Sequence, residues 1–198
     1  SAQPPQLSVA ADPTLEDGST ALHIAVALGD SDGGRETLGI RIDGVPVGAS
    51  LSAGARDSET GAWVLRPDEL SGLRLTPPAD FAGTLTLHVT AVATEATGDS
   101  ASTSSPLAVA VEAVADGALI SAAPASAVED TAVPLNLSIL PGDSDGSETV
   151  IAVLLSGLSP GCRIAAGPGI TDHGNGTWSV APDHLDQVQL IPPPHAHG

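Results

Sequence analysis

Two short loops concentrate carboxylates at a repeated spacing. Gly29-Asp30-Ser31-Asp32-Gly33, followed by Glu36, recurs as Gly142-Asp143-Ser144-Asp145-Gly146, followed by Glu148. A Glu-Asp pair, Glu16-Asp17, recurs as Glu129-Asp130, and Asp116 stands at the entrance to the second copy. Hard oxygen donors gathered in this way suit calcium (Ca2+), which takes about six to eight oxygens in an adaptable shell. Magnesium prefers to keep its waters, and zinc wants His or Cys, neither of which recurs with the acids. The loops are not EF-hands. The twelfth position counted from Asp30 is Arg41, and from Asp143 it is Leu154, where that motif needs Glu. Asp, Ser and Gly are ordinary turn residues, but a solvated turn does not explain why the acids recur with their spacing.

The same residues satisfy G-x-S-x-G, the nucleophile elbow of serine hydrolases, in both copies. That motif needs a helix after it and a histidine base, whereas a strand pattern follows each loop, and His23 and His88 have no histidine counterparts in the second copy. Flanking carboxylates would also oppose a developing oxyanion. No enzyme is expected. His195 and His197 alternate near the C-terminus, and His173 and His184 read as surface residues. Asn136-Leu137-Ser138 and Asn175-Gly176-Thr177 are sequons, relevant only to a eukaryotic secretory route. Trp63 and Trp178 sit at matching places, which favours a core role. Cys162 aligns with Ala49, which favours a small buried residue.

These groups must be positioned by strands. The chain has 198 residues, 24 Asp and Glu against 6 arginines and no lysine, and a formal charge of -18. Such a balance opposes nucleic acid and anionic membrane partners, which require a basic footprint. Hydrophobic content of 41% separates the chain from disordered acidic tails. With aromatics only at Trp63, Phe81 and Trp178, the core falls to Val, Leu, Ile and Ala. A lone cysteine allows no intrachain disulfide, and no apolar run is long enough for membrane insertion.

Self-similarity organises the rest. Glu16 matches Glu129 and Gly29 matches Gly142, both at a shift of 113; Trp63 matches Trp178 and Pro67 matches Pro182, both at 115. The expected domains are therefore 1–115, a complete repeat, and 116–198, a second repeat lacking its last two strands through truncation or an insertion. Thr84–Val92 alternates, with Leu85, Leu87 and Val89 inward and threonines and His88 outward; Leu107, Val109 and Val111 do the same. Turn clusters separate such strands throughout, and Pro67–Leu70 allows one helical turn. The fold class expected is all-β: two tandem immunoglobulin-like (cadherin-like) β-sandwiches, the second incomplete at its C-terminus. In such a sandwich the loop after the second strand faces the preceding domain, and the Glu16-Asp17 corner faces the following one. Glu16, Asp116, Asp143, Asp145 and Glu148 should then converge between repeats, where carboxylates need a cation.

The landmarks in combination resemble the cadherin-like, immunoglobulin-type tandem repeats of bacterial RTX adhesins: Glu-Asp near the start, Asp-Ser-Asp-Gly-(Ser)-Glu-Thr, Leu-Ser-Ala-Gly, a Trp strand, Thr-Pro-Pro-Ala-Asp-Phe-Ala-Gly-Thr-Leu-Thr-Leu and Val-Ala-Asp. The resemblance implies type I secretion, a bacterial cell-surface location and rows of calcium-rigidified extender domains. Its partners would be neighbouring repeats and, through other domains, a host or biofilm ligand. It carries calcium positions onto Asp143, Asp145 and Glu148, and onto Asp30, Asp32 and Glu36. The first repeat departs from the pattern, because Gln3 stands where the second has Asp116 and Arg35 is inserted in its loop; its site is expected to be weaker. The alternative reading is part of a split module that recognises a sugar or protein.

Overall fold

The structure is a computed structural model that describes residues 2–29, 36–126, 130–142, 146 and 148–194. It divides into two compact units, Ser1–Val114 and Ala115–Gly198, with the boundary one residue ahead of the expected one.

Unit 1 contains β1 (Gln6–Ala11), β2 (Thr14–Leu15), β3 (Thr20–Ala27), β4 (Thr37–Asp43), β5 (Ser50–Leu51), β6 (Ala55–Arg56), β7 (Trp63–Leu65), β8 (Arg74–Thr76), β9 (Gly83–Thr94) and β10 (Ser100–Glu112). One sheet runs β1-β3-β8-β5 and the other β2-β10-β9-β4-β7-β6, which makes an immunoglobulin-like sandwich. The alternation read from the sequence is what seals it. Along β9, Leu85, Leu87, Val89, Ala91 and Ala93 are buried, while the residues between them are exposed or half-buried. Successive strand side chains point to opposite faces, so one apolar row meets Ile40, Ile42, Leu75 and Val109 in a single core. A short 3-10 turn, Pro67–Glu69, opens on Pro67, and Arg66 N–H donates to Glu69 Oε2 at 2.8 Å.

Unit 2 contains β11 (Leu119–Ala122), β12 (Val133–Pro134), β13 (Leu137–Leu140), β14 (Val153–Leu155), β15 (Arg163–Ile164), β16 (Ile170–Asp172), β17 (Trp178–Val180) and β18 (Gln189–Ile191). They form three small sheets, β11-β13, β12-β18-β15 and β14-β17-β16. The pairing register repeats that of unit 1. Gln6↔Ala27 and Leu7↔Val26 become Leu119↔Leu140 and Ile120↔Ile139, a shift of 113 on both strands. Ile40↔Leu65 and Ile42↔Trp63 become Val153↔Val180 and Leu155↔Trp178, and Thr20↔Leu75 becomes Val133↔Leu190. The core is smaller: Val153, Ile164, Trp178, Val180, Leu185 and Val188. The 3-10 turn Pro182–Gln187 has six residues, longer than the one turn expected from the first copy. Among the described residues, unit 2 holds no counterpart of β9 and β10.

Cys162 is half-buried, less enclosed than Ala49 at 6% exposure. Both close the same turn, with Ala49 N–H donating to Pro46 O and Cys162 N–H to Ser159 O. Trp178 is buried, whereas Trp63 is only half-buried against its core, with its indole N–H enclosed and unpaired among the described residues.

Candidate metal centres

Glu16 is placed by a parallel pairing. β2 lies beside the end of β10, with Thr14 opposite Val111 and Leu15 opposite Glu112. Glu16 N–H continues the ladder to Glu112 O at 2.9 Å, and its Oε1 accepts a hydrogen bond from Val114 N–H. The residue is 6% exposed, and Oε2 is buried with no hydrogen-bond partner among the described residues. A carboxylate in that state carries a desolvation penalty unless a cation or donor reaches the free oxygen.

The next residue turns the chain. Asp17 has φ 58°, and Gly18 N–H donates to Leu15 O at 3.1 Å. Asp80, at φ 53°, donates its backbone N–H to Asp17 Oδ1 at 3.4 Å. Carboxylate oxygens of Asp17 and Asp80 lie within 4.8 Å of one another. Unit 1 thus ends in three carboxylates on two turns. Sequence reasoning placed Glu16 here but not Asp17 or Asp80 as donors. Asp80 left no repeat signal, because the residue 115 positions on is His195.

In unit 2, Glu148 Oε1 accepts the backbone N–H of Asp116 at 3.2 Å. Glu148 Oε2 is buried and unpaired among the described residues, the same condition as in Glu16. Gly142 lets this happen. A Cβ there would meet Gly117 O and the Cβ of Asp116, each at 2.7 Å. Gly29 plays the same part in unit 1, where a Cβ would lie 2.6 Å from Pro4 O. The loop glycine that opens each acidic motif is therefore required by close approach of the chain leading into β1 or β11.

Asp116 meets Glu148 through its backbone N–H, and Glu16 lies at the C-terminal end of its own unit. Asp143 and Asp145, together with Asp30 and Asp32, lie outside the described residues; Glu36 is half-buried just before β4. His195 and His197 also lie outside them. His23 Nε2 meets Asp12 Oδ2 at 3.0 Å on the surface, His173 Nε2 meets Ser179 Oγ at 3.0 Å, and His184 Nδ1 meets Asp183 Oδ1 at 2.8 Å. The His184 contact holds the exposed Asp183 carboxyl below its ordinary range.

No protein-family model matches the chain, and no curated protein does. Among solved structures, it is similar to murine CEACAM1b at 14% identity, covering 89% of this chain and 85% of that one, with a TM-score of 0.29. A likeness that loose carries no argument. No helix among the described residues is long and apolar enough to cross a membrane.

Proposed function

We propose that this chain is an extender module of a bacterial cell-surface adhesin, two repeats of a row that calcium stiffens and that projects a ligand-binding region for adhesion or biofilm formation. The observation that carries this reading is a pair of buried carboxylate oxygens without hydrogen-bond partners among the described residues, Glu16 Oε2 and Glu148 Oε2. Each carboxylate is tied to the segment that joins the repeats, Glu16 through Val114 N–H and Glu148 through Asp116 N–H. Only Ala115 separates those two amides in the chain. A hard cation with several oxygen ligands relieves such carboxylates.

In the first repeat Glu16, Asp17 and Asp80 would offer oxygens to calcium, and in the second repeat Asp116 and Glu148 would do so. Asp143 and Asp145 complete the set by the family resemblance. The first-repeat positions Asp30, Asp32 and Glu36 would form a weaker site. When bound, the ion supplies positive charge and fixed coordination to a segment whose acids otherwise repel. Extracellular modules bind calcium with Kd of about 10⁻⁴–10⁻³ M. At ten-fold excess over Kd, one site contributes about 1.4 kcal/mol, enough to bias a joint between bent and straight.

Small-angle X-ray scattering in EDTA, then in millimolar calcium, with a magnesium control, tests this reading. Calcium alone should lengthen and narrow the particle, and Glu16→Gln, Glu148→Gln or Asp143→Asn should each remove most of the change. A shape indifferent to calcium overturns the proposal.

A further inference from the structure

Both asparagines of the chain, Asn136 and Asn175, lie in the second repeat, in different surroundings. Asn136 precedes Leu137, which is fixed in β13 opposite Ala122. Asn175 precedes Gly176 in the turn between β16 and β17, and both residues are exposed. That turn is pinned by hydrogen bonds. Gly174 N–H donates to Asp172 Oδ1 at 2.8 Å, and His173 N–H donates to Thr177 O at 3.0 Å. Asn175 Oδ1 accepts two donors from one residue, the backbone N–H of Thr177 at 3.1 Å and the Thr177 hydroxyl. Gly176 has φ 81°, and a Cβ there would meet nothing within 4 Å. Among the described residues, no hydrogen bond engages its N–H.

From this we infer that Asn175 is a site of self-modification, an amide that the chain's own backbone converts to a carboxylate with water as the only co-reactant. The Gly176 nitrogen attacks Asn175 Cγ and gives up its proton to solvent. The new N–Cγ bond closes a succinimide ring. The Cγ–Nδ2 bond then breaks, and the amide nitrogen takes a proton from water and leaves as ammonia. A second water opens the ring at either carbonyl, giving aspartate, or isoaspartate, in which the main chain runs through the side-chain methylene. Each part of the turn contributes. Glycine presents no side chain to obstruct ring closure. Both Thr177 donors face the oxygen on which negative charge develops, the arrangement of an oxyanion hole. Asn136 lacks this arrangement, since the branched Leu137 crowds the ring and sits in a paired strand. Unit 1 cannot react in the same way, because Thr60 stands at the matching place and has no amide to lose. The reaction therefore adds a carboxylate in one repeat only, to the turn that holds Asp172 and leads into the buried Trp178.

The inference does not depend on calcium, and its readout is a covalent mass, so the two readings fail separately. The 198-residue chain is aged in mildly alkaline buffer and cut with trypsin. Arginine spacing separates the two amides: residues 75–163 carry Asn136, and residues 164–198 carry Asn175. Mass spectrometry with fragment assignment follows the change from amide to acid, and released ammonia is assayed beside it. Asn175 should convert at least about tenfold faster than Asn136, its ring closure being unobstructed. Asn136 is also the internal control, since an unfolded unit would expose both amides equally. Thr177→Val should slow conversion about threefold or more through loss of the hydroxyl donor, and Thr177→Ser should restore it. Equal rates at the two asparagines overturn the proposal. So does a Thr177→Val chain that converts as fast as the parent, which would make Asn175 an ordinary exposed amide.

Discussion

Ile40 and Val153 occupy the same place in the two repeats, each in the strand that faces a tryptophan-bearing neighbour, yet their surroundings differ. Ile40 lies between Leu65 on one strand and Ala91 on another, while Val153 has Val180 beside it and no paired strand opposite among the described residues. Both are buried, at 1% and 4% exposure, but two positions along, Ile42 is sealed and Leu155 only half-buried. Pairing register is thus decided locally, by turns and alternation, and survives in a unit with a thin core. Core closure is not local. It depends on a hairpin, β9–β10, distant in sequence from the strand it covers.

That contrast can be broken most forcefully in the core. Leu87 is fully enclosed in unit 1, and Leu87→Ala should cost about 2–5 kcal/mol through lost burial and the cavity left behind. Denaturation read from Trp63, in a Trp178→Phe background, should show the loss; the complementary background should show unit 2 unmoved. A coupled shift in both transitions would mean that the units do not unfold independently. Next in size are the loop glycines. Gly29→Ala and Gly142→Ala each force a Cβ against a backbone oxygen, at a cost of about 1–3 kcal/mol. Similar losses would confirm equivalent roles; a neutral Gly142→Ala would show that unit 2 relaxes where unit 1 cannot.

The paired aspartates sharpen the comparison on a smaller scale. Asp17 and Asp130 both hold positive φ, at 58° and 60°. Asp130→Gly should stabilise unit 2 by up to about 1 kcal/mol, because glycine adopts that conformation freely. Asp17→Gly should gain less, since it also removes the acceptor for Asp80 N–H; thermal melts of the two variants compare them. Smallest is a pH effect confined to unit 1. Arg41 donates to both Asp43 oxygens at 2.8 Å, and this hydrogen bond, more than simple charge, lowers the Asp43 carboxyl below its ordinary range. Its contribution is complete above the usual carboxylate range and is lost as pH falls through the lowered value. Leu154 and Ser156 hold the matching places in unit 2 and cannot titrate. Acid titration of Arg41→Gln against the parent should therefore flatten a small slope in unit 1 alone.

Alternating strands were legible because their apolar period is unambiguous: Thr84–Val92 lies within β9, and Leu107, Val109 and Val111 within β10. β10 begins at Ser100, well ahead of the alternating Leu107, Val109 and Val111, because the backbone of its Ser- and Thr-rich first half pairs along β9 without any apolar period. Two-residue strands such as β2, β5 and β15 carry no period at all; their pairing comes from the strand they meet. The acids were visible through duplication, which singled out Glu16 and Glu148. Duplication hid Asp80 for the same reason, since its place in the second copy belongs to a histidine. Contacts such as Glu16 with Val114, 98 positions apart, have no signal in local spacing.

The parallel pairing of β2 with the end of β10 has a mechanical consequence. In a module pulled through its two ends, tension reaching β2 and the end of β10 draws these neighbours past one another along their common axis. The rungs Thr14–Val111 and Leu15–Glu112, with the Glu16 contacts beyond them, then bear the load side by side in shear instead of peeling one at a time. In a force-extension trace, repeat one should resist as a single clamp and yield in one step. Glu16→Ala should lower that step more than it lowers the melting temperature.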